Sequence, residues 1–307
     1  MAAPNPYIRP VDRRRDLTSV ADIIEACFSD QMDEEGRSYI RQIRRAAARA
    51  HEPALWFADL ADTPPLRGFV WEQDGRVVGN LTLIPFLRGV KPVYLIANVA
   101  VLPQFRRAGI GRQLTSHAVA HVRELGGASA WLHVRDDNPA ALHLYQSLGF
   151  EERARRSTWV FENLNFVQPV APQEVAVTRR KAAEWPAQRA CLQQDYPPEV
   201  AWNLPFKPGS LGPLPWQALG RWFNGLEIRQ WSAWRGAGWL GTLAREPTGS
   251  HYGWLWLACP PAEETPALRA LLPAARLGGR LKPLLINYPA GRAGDVVLMD
   301  LLARDHG

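Results

Sequence analysis

The run Val99-Ala100-Val101-Leu102-Pro103-Gln104-Phe105-Arg106-Arg107-Ala108-Gly109-Ile110-Gly111-Arg112-Gln113-Leu114 changes character twice within sixteen positions. An apolar strand ends at Pro103, a basic glycine-containing turn follows, and a helix opens near Gly109. A strand, turn and helix in that order point several backbone N–H groups outward at the helix N-terminus. Those donors, with the positive end of the helix dipole, favour a phosphate. Gly109 and Gly111 let the backbone approach an anion without a Cβ in the way, and Arg106, Arg107 and Arg112 add charge and hydrogen bonds. The run lacks both the Gly-Lys-Ser/Thr of a P-loop and the GxGxxG of a dinucleotide fold. Its plainer reading is a glycine turn before an ordinary helix.

A second block stands downstream: Leu132-His133-Val134-Arg135, Asn138-Pro139-Ala140-Ala141, Leu144-Tyr145 and Leu148-Gly149-Phe150. Together, Arg106-x-x-Gly109-x-Gly111 after Val101-x-Pro103 and the Tyr-x-x-x-Gly-Phe ending resemble the two signatures of the GNAT N-acetyltransferases, in that family's order and spacing. The resemblance covers residues 10 to 162. It implies a GNAT fold of the α/β (α+β) class, a mixed and mostly antiparallel sheet flanked by helices. It also implies acetyl-CoA as acyl donor and a primary amine as acceptor. Two adjacent parallel strands, 94–102 and 130–134, would splay around the pantetheine arm. Backbone groups of Val99, Ala100 and Val101 would bond that arm, and the amides of Arg107, Ala108, Gly109, Ile110, Gly111 and Arg112 would hold the diphosphate. Arg106 would lie beside it or form a surface ion pair. Asn138 is an N-cap by residue type, and by resemblance it also bonds the arm.

Tyr145 matches the tyrosine that GNAT enzymes use as general acid toward the departing thiolate; its alternative is packing on an amphipathic helix. Ribosomal-protein-type N-acetyltransferases resemble the block 132–150 closely but carry Glu where this chain has His133. Histidine can accept a proton near neutral pH, so His133 is a candidate base, with Glu72, Asp136 and Asp137 as others. His117 and His121 share the i, i+4 spacing of a metal pair, yet no HExxH glutamate stands between them and no third ligand is evident. They read as ordinary helix-face residues, and no metal is expected.

Outward from these blocks, Leu17 to Phe28 and Glu34 to His51 carry helical spacing, the latter rich in arginine on its polar side. That arginine-rich face is either solvated or the border of an anionic or peptide-like acceptor. Leu66 to Glu72 and Arg76 to Phe86 read as a hairpin about Asp74-Gly75. Thr158 to Phe161 reads as the strand that closes the first domain, 1–162. A linker spans 163–172, and 173–307 forms a second domain that repeats the element order without the motifs. Where the first half has arginines and glycines, the second has Ala262-Glu263-Glu264-Thr265-Pro266, whose carboxylates would repel an anion. The expectation is a degenerate GNAT-like domain without cofactor, with an unrelated α/β domain as the competing reading.

The 307 residues suit two domains. A net charge of +6 spread over scattered arginines is too diffuse for a nucleic-acid stripe. The three cysteines, Cys27, Cys191 and Cys259, are distant and odd in number, which suggests neither a disulfide framework nor a Cys-rich zinc site and fits a reducing cytoplasm. Residues 1–15 carry no apolar signal core, and no apolar run reaches membrane-spanning length. The expected partner is a small-molecule amine or peptide, with neither nucleic acid nor membrane, in a monomer or homodimer. Two non-enzymatic alternatives stay open: a sensor that holds acetyl-CoA without transfer, and an interaction protein recruiting through the nine tryptophans of the second half.

Overall fold

The computed structural model describes residues 5–49, 67–88, 91–162, 174–213, 228–249, 251–275 and 282–303. The chain divides into two compact units, Met1–Glu151 and Glu152–Gly307. The expected linker 163–172 lies outside the described residues.

The first unit holds a five-stranded sheet in chain order: β1 (Ile8–Pro10), β2 (Gly68–Gln73), β3 (Arg76–Arg88), β4 (Lys91–Val101) and β5 (Ser129–Leu132). Its neighbours are antiparallel except β4 and β5, which run parallel. The hairpin between β2 and β3 turns on Asp74 and Gly75, both at positive φ, as a two-residue turn matching the strand twist demands. Alternation along the strands sends residues to two faces. Val70 and Val77 pack with Leu17, Val20 and Ile24 of α1 (Leu17–Phe28) and with Ile40 and Ile43 of α2 (Glu34–Arg49). Phe69, Val78 and Ile96 pack with Ile110, Leu114 and Ala118 of α3 (Ile110–Glu124). A fourth helix, α4 (Pro139–Ser147), follows β5.

The second unit orders its six strands β6-β11-β10-β9-β8-β7: β6 (Arg156–Phe161), β7 (Val175–Arg179), β8 (Arg229–Arg235), β9 (Gly238–Glu246), β10 (Gly253–Ala258) and β11 (Leu284–Pro289). Its helices are α5 (Trp185–Asp195), the short α6 (Pro198–Ala201), α7 (Glu264–Ala275) and α8 (Ala293–Ala303). From β7 to β11 the sheet repeats the first: three antiparallel pairings, then one parallel, β10 with β11.

One expectation is corrected. The strand read as closing the first sheet is β6, and it pairs antiparallel with β11 at the edge of the second sheet. Phe161 is buried in the second core. Thr158 and Arg156 meet the side chain of Asn287, the former at 2.9 Å. The break between units accordingly falls at Glu151, ahead of this strand and of the expected boundary at 162. The described tryptophans of the second half are buried or half-buried, so an exposed aromatic recruiting surface has no support among them.

Candidate active site

Strands β4 and β5 pair from Val93 with Ser129 to Ile96 with Leu132, and there the pairing ends. Ala97 to Val101 continue on one side, and His133 to Arg135 leave on the other. The strands therefore part beside the candidate backbone contacts Val99, Ala100 and Val101. β5 ends at Leu132, so the sequence expectation of a strand through Val134 is shortened by two residues and His133 stands just past the strand. Ala100 is buried on the α1/α2 side and Val99 packs toward α3. The Val101 carbonyl accepts the Cys27 thiol at 3.3 Å and the Arg106 Nε–H at 3.1 Å.

Past Val101 the chain makes one turn at Pro103–Phe105 and enters the glycine loop. Arg107 and Gly109 both take left-handed φ, 64° and 76°. Arg106, Arg107, Ala108 and Gly109 are exposed, while Ile110 plugs the core. The first bond into the helix is Gln113 N–H to Gly109 O at 3.0 Å. The amides of Ile110, Gly111 and Arg112 thus precede the ladder and face out of the helix end, as at any helix N-terminus. Left-handed residues on either side of Ala108 curl this stretch into a concave turn suited to an anion. Arg112 also spans to α4, donating to Ser147 Oγ at 2.6 Å.

Asn138 caps α4: its Oδ1 accepts the Ala141 amide at 3.1 Å. Two turns on, the Tyr145 ring is 9% exposed and meets Phe150 edge to face. Burial raises the Tyr145 phenol above its ordinary pKa, and its hydroxyl makes no hydrogen bond to the described residues, so it stays protonated and able to donate. Partial desolvation by the surrounding protein lowers the His133 pKa, which keeps the imidazole neutral near pH 7.

Two of the other candidate bases, Glu72 and Asp137, stand in ion pairs. Glu72 is paired with Arg9 and Arg15. Asp137 is held by both ends of the Arg135 guanidinium, which lowers its pKa. His117 and His121 set their rings edge-on to Phe69, a packing role. The arginine face of α2 is largely neutralised locally: Arg37 and Arg41 pair with Glu34, and Arg44 with Asp22 and Glu25.

Sequence reasoning passed over Asn98. It sits in β4 at φ 51°, at an irregularity opposite β3, two residues past the last β4–β5 pair. Its amide donates to Tyr39 Oη at 3.1 Å and Thr82 Oγ1 at 3.3 Å, and its carbonyl accepts from Asn80. The available signal was an asparagine inside a strand, where that residue type is depleted. A cavity of about 240 Å³ lies at the far end of α3, lined by Val122, Arg123 and Phe150 among others, away from the glycine loop.

Residues 32–150 match the Acetyltransferase (GNAT) family model. Over 62 residues the chain is 44% identical to the [Ribosomal protein bS18]-alanine N-acetyltransferase of Escherichia coli strain K12, covering 20% of this chain and 42% of that relative. It thus spans well under half the length of that protein. It is 34% identical over 125 residues to the N-alpha-acetyltransferase of Sulfurisphaera tokodaii, covering 37% of this chain and 73% of the relative. A tandem GNAT protein from the clavulanic acid biosynthesis pathway is similar in structure with a TM-score of 0.47 and 17% identity, covering 96% of this chain and 94% of that one. The match to the archaeal relative over most of its length, with the family model on the same residues, settles the family: the chain belongs to the GNAT acetyltransferases.

Proposed function

We propose that the first unit transfers the acetyl group of acetyl-CoA to a primary amine by direct attack on the thioester. The observation that carries this reading is the parting of β4 from β5 beside an outward-facing amide turn at Arg107–Arg112. A bound acetyl-CoA would supply the activated acyl group, its diphosphate lying on the turn and its arm along the edge of Val99–Val101 that β5 leaves. Arg106, Arg107 and Arg112 add positive charge there, and Asn138 fixes the start of α4 against the arm. His133, neutral, accepts the proton of the attacking amine. Tyr145, protonated, gives its proton to the sulfur as the C–S bond breaks. Two of the relatives are named for a ribosomal-protein alanine and for an α-amine, so the acceptor search begins with peptides bearing a free N-terminal alanine and extends to small amines.

The second unit we read as a degenerate copy that takes no acyl donor. Its parallel pair is followed by Pro260, Glu263 and Glu264 rather than by arginines and glycines.

Calorimetric titration of acetyl-CoA into the full chain, beside an Arg107→Glu/Gly109→Glu double variant, tests the reading. One site per chain, lost in the variant, is expected. No binding sinks it, two sites overturn the degenerate second unit, and binding without turnover on any amine assigns a sensor instead.

A further inference from the structure

The second unit carries a buried charge cluster that the chemistry above does not use. Strands β10 and β11 pair from Gly253 with Leu284 to Leu255 with Ile286 and then part, as β4 and β5 do. The helices that follow them, α7 and α8, begin at Glu264 and Ala293, at the carboxyl ends of the two parallel strands. That is where open α/β sheets hold their ligands.

Here the mouth is filled from within. Glu264 is 1% exposed. One of its oxygens accepts the Gly294 amide in the first turn of α8 at 2.9 Å, and the other lies 2.6 Å from Arg292 Nε. Arg292 also pairs with Asp195 at the end of α5, itself 3% exposed. Arg156 of β6 donates to the Asp195 carbonyl at 2.8 Å and the Asn287 carbonyl at 3.2 Å. Tyr196 Oη donates to the same Asn287 carbonyl at 2.7 Å. The first turn of α8 is pressed onto Tyr288, for a Cβ on Gly294 would stand 2.6 Å from its ring. A carboxylate seated on a helix N-terminus beside an arginine has the partners an anionic ligand would find there.

We propose that this mouth is a self-occupied anion site. Glu264, seated on the α8 N-terminus and tied by Arg292 to Asp195, takes the place an anionic group of a ligand would occupy at that helix end and shuts the second unit to acyl-CoA. The carboxylate therefore acts by filling the site, not by repelling an anion from its surface. The choice of probe rests on acetyl-CoA being the donor of the first unit.

Amide hydrogen exchange on the full chain, with and without acetyl-CoA, separates the two. Ligand is expected to slow exchange in 104–113 and to leave 259–266 and 289–297 unchanged. In Arg292→Met those two segments are expected to exchange about tenfold faster, because the tie between α7, α8 and α5 is gone. Glu264→Gln, close to isosteric, gives a smaller increase confined to 293–297. Slowing of 259–266 or 289–297 by acetyl-CoA in the unmodified chain overturns the proposal, and so does unchanged exchange in both variants. Faster exchange in the variants with no ligand effect at 104–113 sinks the reading of the first unit and leaves the closure of the second standing.

Discussion

Gly109 and Gly126 bracket α3 and share one conformation, φ 76° and 70°. An alanine Cβ at Gly109 would meet only Gln113 Nε2, at 3.7 Å, and at Gly126 nothing within 4 Å. Neither substitution creates a clash, so each costs only the left-handed strain of an L-residue, about 1 kcal/mol. In a unit spanning Met1–Glu151 that corresponds to a fall in Tm of roughly 2–4 °C for either variant. Binding should separate them. Gly109→Ala relaxes by rotating the amides of Ala108 to Ile110 away from the diphosphate, and one displaced charge-assisted bond is worth about 1.5 kcal/mol, roughly tenfold in Kd. Gly126→Ala sits at the far end of the helix and should bind acetyl-CoA as the unmodified chain does. Calorimetry with thermal unfolding reads both quantities. Equal loss of affinity in the two variants, or none in Gly109→Ala despite the fall in Tm, refutes the assignment of the turn as the diphosphate cradle.

Two further outcomes are expected. Tyr145→Phe keeps the ring packing against Phe150 and should leave acetyl-CoA affinity unchanged while turnover on a responsive amine falls roughly 10²–10⁴-fold; a fall of less than threefold removes Tyr145 as the acid. Burial lowers the pKa of His133, so its neutral form persists below the ordinary histidine value. Turnover should then be lost only as pH falls through that lowered pKa, an acid limb lying below about 6.5, and His133→Ala should abolish the limb along with most of the rate; a limb that survives the substitution belongs to another group.

What the sequence determined by itself is local. Asp74-Gly75 specified a turn of positive φ, and both residues adopt it. Gly109 marked the start of α3, and Asn138 capped α4, because turn and cap chemistry act over three or four residues. The glycine loop and the Tyr-x-x-x-Gly-Phe ending were legible for the same reason, and they named the family before any contact was known. The three-residue β1, inside a Pro- and Arg-rich segment, was missed because it is too short to show a period, and its place is set by pairing with β2 far along the chain. The α8 helix, with few polar residues to mark a face, also went unread.

Only tertiary structure decided which sheet received β6, since an alternating strand fits the edge of either and the choice rests on Phe161 and Asn287 in the second unit. It also decided that Glu264 is an internal partner rather than a surface charge, because Arg292 and the Gly294 amide reach it from a distant segment. Likewise Glu72, a candidate base by sequence, was claimed by Arg9 and Arg15. Ion pairs and strand edges are settled by which groups become neighbours when apolar faces bury each other, and no pattern within a few residues records that.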